Sequence, residues 1–224
     1  MANERLINAC KDGDLKLALS AIEKGANNWN GGLFKACWRG HRDLALLMIE
    51  KGAKDLNWGL SMACCRGHRD LALLMIEKGA RDWNWGLLNA CLEGHRDLAL
   101  LMIEKGADDW NGGLYWACRG GHRDLVNLMI EKGANNWNWG LHLSCERRHI
   151  DIALLMIEKG ADTDYCSPNS AEEVIWILIK KGNMKNFGKY KKLAKKLIAR
   201  KNKIINMTGR LMIQDLARIC FDYC

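Results

Sequence analysis

A block of 27 residues recurs through this chain without a single insertion, and a sequence written this way folds by stacking like units rather than around one centre. The Lys-Gly-Ala that closes the block puts its glycine at Gly25, Gly52, Gly79, Gly106, Gly133 and Gly160. One copy alone has too little chain to bury its own apolar residues, so each copy must cover the next.

The block, seen most plainly over 27–53, reads as two short helices. The first is expected from Gly32 to Arg39, with Leu33, Ala36 and Cys37 at the spacing of a buried helical face. Gly40 ends it, and Gly67, Gly94 and Gly121 recur at the same place, as a left-handed stop requires. The second helix has Asp43 in its first turn and Lys51 in its last, the signs that suit the helix dipole. Between them Leu44 to Ile49 are apolar without a break, which suits a helix with a neighbour on either side and a partner within.

The string Leu-x-x-Ala-Cys-x-x-Gly-His-x-Asp-Leu-Ala-Leu-Leu-Met-Ile-Glu-Lys-Gly-Ala resembles the helix-loop-helix core of the ankyrin repeat. Residues 6–161 carry the likeness. It departs from the family where Thr-Pro-Leu-His and a β-hairpin are expected: only Asn30-Gly31-Gly32-Leu33 stands there, in a unit of 27 rather than about 33 residues. The resemblance therefore implies an all-α, ankyrin-like helix-turn-helix solenoid lacking most of its β-hairpin fingers and closed by C-terminal helices. The Trp-Asn-Trp-Gly-Leu signature at 83–87 and 137–141 is similar to repeat proteins of large DNA viruses, including those infecting amoebae.

Taken in order, residues 1–26 form an imperfect N-terminal capping repeat, in which Asp14 stands where His41 would be and Ser20 and Ala21 replace Leu47 and Met48. Residues 27–161 hold five fuller copies, the fifth worn by Arg148 in place of the loop glycine and Ser144 in place of alanine. A closing helix is expected within 162–182, started by Ser170 and Glu173 at capping-box spacing. Residues 183–224 form a basic segment. Residues 162–224 hold 13 Lys and Arg against 6 Asp and Glu, so they supply +7 of the net charge of +8.

One proline and the lack of a Ser/Gly linker favour one continuous body. The start of the chain has no signal-peptide apolar region and no stretch has the length of a membrane span, which predicts a cytoplasmic protein, in a host cytoplasm if the source is viral, with the nucleus as the other compartment. Six of the ten cysteines, Cys10, Cys37, Cys64, Cys91, Cys118 and Cys145, fall at one helical position. Stacked helices sit about 8–10 Å apart, beyond the reach of a disulfide, so these are expected to be packed thiols.

His41, His68, His95, His122 and His149 occur once per repeat and cannot converge on one ion. The resemblance implies that they tie neighbouring repeats by hydrogen bonds. No phosphate loop, nucleophile elbow or carboxylate pair is present, and neither catalysis, a cofactor nor a metal is expected. The repeated tryptophans are read as packing residues that fill the space of the missing hairpin.

The second helix is nearly the same text in every copy, whereas four columns of the first change chemistry. Phe34, Ser61, Leu88, Tyr115 and His142 form one column, and Lys35, Met62, Asn89, Trp116 and Leu143 the next. Trp38, Cys65, Leu92, Arg119 and Glu146 vary likewise, beside Arg39, Arg66, Glu93, Gly120 and Arg147. In ankyrin stacks the first helices line the concave face, so the predicted partner-binding residues are Phe34, Lys35, Trp38, Met62, Leu88, Leu92, Tyr115, Trp116, Arg119 and His142. The expected function is a scaffold that binds a partner protein there. The alternative is contact with nucleic acid or an acidic membrane surface through Lys185, Lys189, Lys192, Lys195, Lys196 and Arg200. Recruitment of a ubiquitin ligase through an F-box-like tail finds no convincing match in 211–224. A final column, Leu19, Leu46, Leu73, Leu100, Asn127 and Leu154, is expected to be partly exposed on the convex side and to favour self-association.

Overall fold

The computed structural model of the protein describes residues 1–162, and all of their regular structure is helical. The expected closing helix and the basic segment with its six candidate residues lie outside the described residues. Ten helices fall in a first compact unit, Met1–Asn135: α1 (Ala2–Asp12), α2 (Leu15–Glu23), α3 (Trp29–Arg39), α4 (Arg42–Glu50), α5 (Leu56–Arg66), α6 (Arg69–Lys78), α7 (Trp83–Glu93), α8 (Arg96–Lys105), α9 (Trp110–Gly120) and α10 (Arg123–Glu131). A second unit begins at Asn136 with α11 (Trp137–Glu146) and α12 (Ile150–Lys159), which pack on each other.

Within the first unit the odd-numbered helices stack in a row and each pairs with the even-numbered helix that follows it. The even-numbered helices approach one another much less closely. Leu33, Ala36, Cys37, Leu44, Ala45 and Met48 are at most 2% exposed, as are their counterparts in the next three copies, so one continuous ladder forms the core of this unit. Burying each leucine is worth roughly 1.5–3 kcal/mol.

Helix one begins three residues earlier than the sequence predicts. Asn28 caps α3, its side-chain oxygen accepting from Gly31 N at 3.0 Å, and Trp29, Asn30, Gly31 and Gly32 form the first turn. Glycines are poor helix formers, which hid this turn in the sequence. Packing explains Gly32: a Cβ there would lie 2.5 Å from Met48 Sδ and 3.2 Å from Cys10 Sγ of the preceding copy. Gly59 and Gly86 face Met75 with Cys37 and Met102 with Cys64 in the same way.

Two ties join successive copies. At the loops, Gly13 and Gly40 adopt φ of 82° and 89°, and a Cβ would meet the ring of His41 or His68 from the next copy at 2.7–2.8 Å. His41 Nε2 reaches Lys11 O at 3.2 Å and His122 Nε2 reaches Leu92 O at 3.0 Å, the role the resemblance implied. Asp14, which stands in the place of this histidine, caps α2, accepting from Leu17 N at 2.9 Å.

The second tie was not foreseen. Asn3, Asn30, Asn57, Asn84, Asn111 and Asn138 recur at the repeat period in the first turn of helix one. Asn30 Oδ1 accepts from Lys54 N at 2.8 Å and Asp55 N at 3.2 Å, and Asn57 and Asn84 take the matching pairs one copy further on. Asn138 accepts from Asp162 N at 2.7 Å within the second unit. This asparagine bridges copies at the place where a hairpin would stand.

The fifth copy differs where its sequence is worn. Arg148 holds φ 63° in the position of the loop glycines, and α11 ends one residue short of its counterparts. No histidine stands 27 residues after His149, where the sequence has Trp176. Ser144 is fully buried and donates to Gly140 O at 2.6 Å, which satisfies its hydroxyl.

Candidate functional site

The ten predicted partner-binding residues are all half-buried on helix one. Nine belong to α3, α5, α7 and α9 of the first unit, and His142 belongs to α11. Not every member of their columns reaches the surface: Ser61, Cys65 and Leu143 are buried, and Asn89 Nδ2 donates to Ser61 Oγ at 2.8 Å to bond α7 to α5.

The aromatic members gather in two places. On α3 the rings of Phe34 and Trp38 stack at 6.2 Å, one helical turn apart, with Lys35 Nζ 5.0 Å from the Phe34 centroid. α5 adds Trp58, its ring 6.0 Å from Phe34, and Arg66, its guanidinium 4.7 Å from the Trp38 ring. On α9 Tyr115 meets Trp116 edge-on at 5.2 Å, and Arg119 lies 5.0 Å from the Trp116 ring. Met62, Leu88 and Leu92 supply apolar surface on α5 and α7. In the second unit His142 meets Trp139 edge-on at 6.3 Å.

Trp58 and Arg66 were not foreseen as site residues, and the reading of every repeated tryptophan as packing is corrected here. Trp29, Trp83, Trp110 and Trp137 open their helices half-buried, whereas Trp58, Trp85 and Trp139 are 61%, 56% and 51% exposed. A signal for this lay in the sequence, because the third helical position alternates between Gly31, Trp58, Trp85, Gly112 and Trp139.

The packed thiols offer no chemistry. Cys37, Cys64 and Cys91 are buried and unbonded, and loss of solvent pushes each thiol up to about 12 from 9.0, so no reactive thiolate forms near neutral pH. Among the described residues, no group of three or more His, Cys, Asp or Glu is placed to hold a metal ion, and no helix is long and apolar enough to cross a membrane.

The pattern of loop glycine, bridging histidine and paired helices agrees with the family comparison, in which ankyrin repeats, three copies, match residues 87–168. The helical stack has an ankyrin-like repeat fold. Among solved structures, the ankyrin repeat domain of human ASB11 is similar in fold at a TM-score of 0.55 and 24% identity, covering 70% of this chain and 84% of that one. No curated protein matches the sequence. Ankyrin repeats generally serve as protein–protein interaction scaffolds, and in this stack the recurring asparagine joins adjacent copies without strands among the described residues.

Proposed function

We propose that this protein is a non-catalytic scaffold that binds a partner protein on the exposed side of its first helices, the concave side of an ankyrin stack. The observation that carries the reading is the continuous series Trp58, Phe34, Trp38, Arg66 across α3 and α5, with Tyr115, Trp116 and Arg119 two copies on. Tryptophan, tyrosine and arginine are the side chains that dominate interface hot spots, where truncation costs about 2 kcal/mol or more. A monomer gains little from leaving Trp58 61% exposed, while a partner that buries it gains a large apolar area.

The test is capture of the partner from an extract of the source cell by the full chain and by a variant with Phe34, Trp38, Tyr115 and Trp116 all replaced by alanine. Capture should be lost while far-UV circular dichroism keeps its helical signal. Capture that survives the four substitutions places the site elsewhere. A salt series on the same experiment addresses the basic segment: binding through Lys185 to Arg200 to nucleic acid or acidic lipid should weaken steeply with ionic strength, whereas an aromatic interface should hold.

A further inference from the structure

A cleft of about 360 Å³ opens beside α3 and α5, lined by Asn30, Gly31, Phe34, Asp55, Trp58 and Gly59. Gly31 helps to make the room, since the same helical position holds tryptophan in the next two copies. Phe34 and Trp58 bring two rings inclined at 60° to each other. Asp55 is the one charged residue of the lining.

The Asp55 carboxylate differs from its counterparts in the first unit. Asn28, Asp82 and Asp109 each spend a side-chain oxygen on the first turn of their own helix, at 3.0, 3.4 and 2.9 Å. Asp55 makes no cap bond. Asn30 Oδ1, the other side-chain oxygen in the lining, already accepts two backbone N–H groups. The cleft thus offers two aromatic rings and one uncommitted carboxylate.

A cation set against aromatic faces is attracted by their quadrupoles, and a carboxylate adds to that attraction. The number of available acceptors decides which cation fits. An unmodified lysine ammonium carries three N–H donors, and donors that leave water without an acceptor are penalised. A methylated ammonium keeps the charge, sheds donors and gives the rings methyl groups to pack against. We propose that this cleft receives the methylated ammonium of a lysine side chain in the partner protein, which rests on the scaffold reading and names one feature of the partner. The opposing charges nearby are Lys35, whose Nζ lies 5.0 Å from the Phe34 centroid, and Lys54, which precedes Asp55 in sequence. Both reduce the attraction, so Lys35→Met should strengthen binding.

The test titrates the full chain with the amide of N-acetyl-trimethyllysine, with the unmethylated lysine amide, and with a neutral isostere carrying carbon in place of the quaternary nitrogen. The reporter is the Trp58 indole N–H signal in a nitrogen-15 spectrum, assigned with Trp58→Phe. The trimethyl probe should shift that signal saturably, and both the lysine amide and the isostere should bind roughly three- to tenfold more weakly. Asp55→Asn should cost a similar factor with circular dichroism unchanged, since Asp55 is exposed and holds no cap. An isostere that binds as tightly as the cation, or a Trp58 signal that never saturates, overturns the proposal. If either result comes from a chain whose partner capture still depends on its helix-one aromatics, this inference falls and the scaffold reading stands.

Discussion

Asn57 accepts two backbone N–H groups of the next copy with one oxygen, from Arg81 at 2.7 Å and Asp82 at 3.1 Å. Those groups lie in an exposed connection, where water can replace part of what is lost. Asn57→Ala should therefore lower stability by about 1–2 kcal/mol. Asn57→Asp keeps the acceptor and should lose less. Comparing the denaturant midpoints of the two variants checks this, and equal loss in both would show that the amide acts in some other way. The asparagine column was present in the sequence at full periodicity, but its role was not legible, because a short polar residue in a predicted connection looks like any other connection residue. The histidine role became legible through resemblance, and the loop glycines through the left-handed stop they make. The reason for glycine at Gly32 was not legible, since it lies in Met48 and Cys10, contacts that only packing reveals.

At the scale of the helix, Leu44, Ala45 and Met48 turn inward while Leu46 does not. Leu19, Leu73 and Leu100 of the same column are 43%, 43% and 39% exposed, and Leu46 and Leu154 are half-buried. The sequence already pointed to this through Asn127, an exposed amide standing in the column. It also made the whole run from Leu44 to Ile49 look uniformly apolar, and composition alone could not tell which half faced outward. Replacing Leu46, Leu73 and Leu100 together by lysine should give a chain of unchanged helicity and greater solubility, because the substituted positions are partly wet in the native state. If the column also mediates self-association, the wild type should sediment as a larger species than the variant at the same concentration. Loss of helicity on substitution would show that the column is needed in the core.

Across the whole molecule, the ladder of thiols contributes packing rather than cross-links. The chain should unfold at the same temperature with and without reductant, and a large drop on reduction would contradict the free, buried thiols described above. Alkaline pH should destabilise it. Cys10 is raised to about 11 and Cys37, Cys64 and Cys91 to about 12 from 9.0, so the unfolded chain releases these protons first. Their stabilising contribution is complete below pH 9.0 and is lost as pH rises from there toward 12. The two-helix copy, its period and its stacking were legible in the sequence because each follows from a pattern that recurs within one chain. Phe34, Trp38, Arg66, Tyr115, Trp116 and Arg119 were legible only as members of variable columns, and Trp58 only as a packing tryptophan, since which neighbours meet depends on how far one helix lies from the next. The central claim is that a partner protein lies against the first helices, and site-specific photo-crosslinking tests it most directly. A benzophenone side chain introduced at Met62, half-buried on α5, should form a covalent adduct with the captured partner, while the same group at Leu73 on α6 should not. Adducts from Leu73 with none from Met62 would contradict the account.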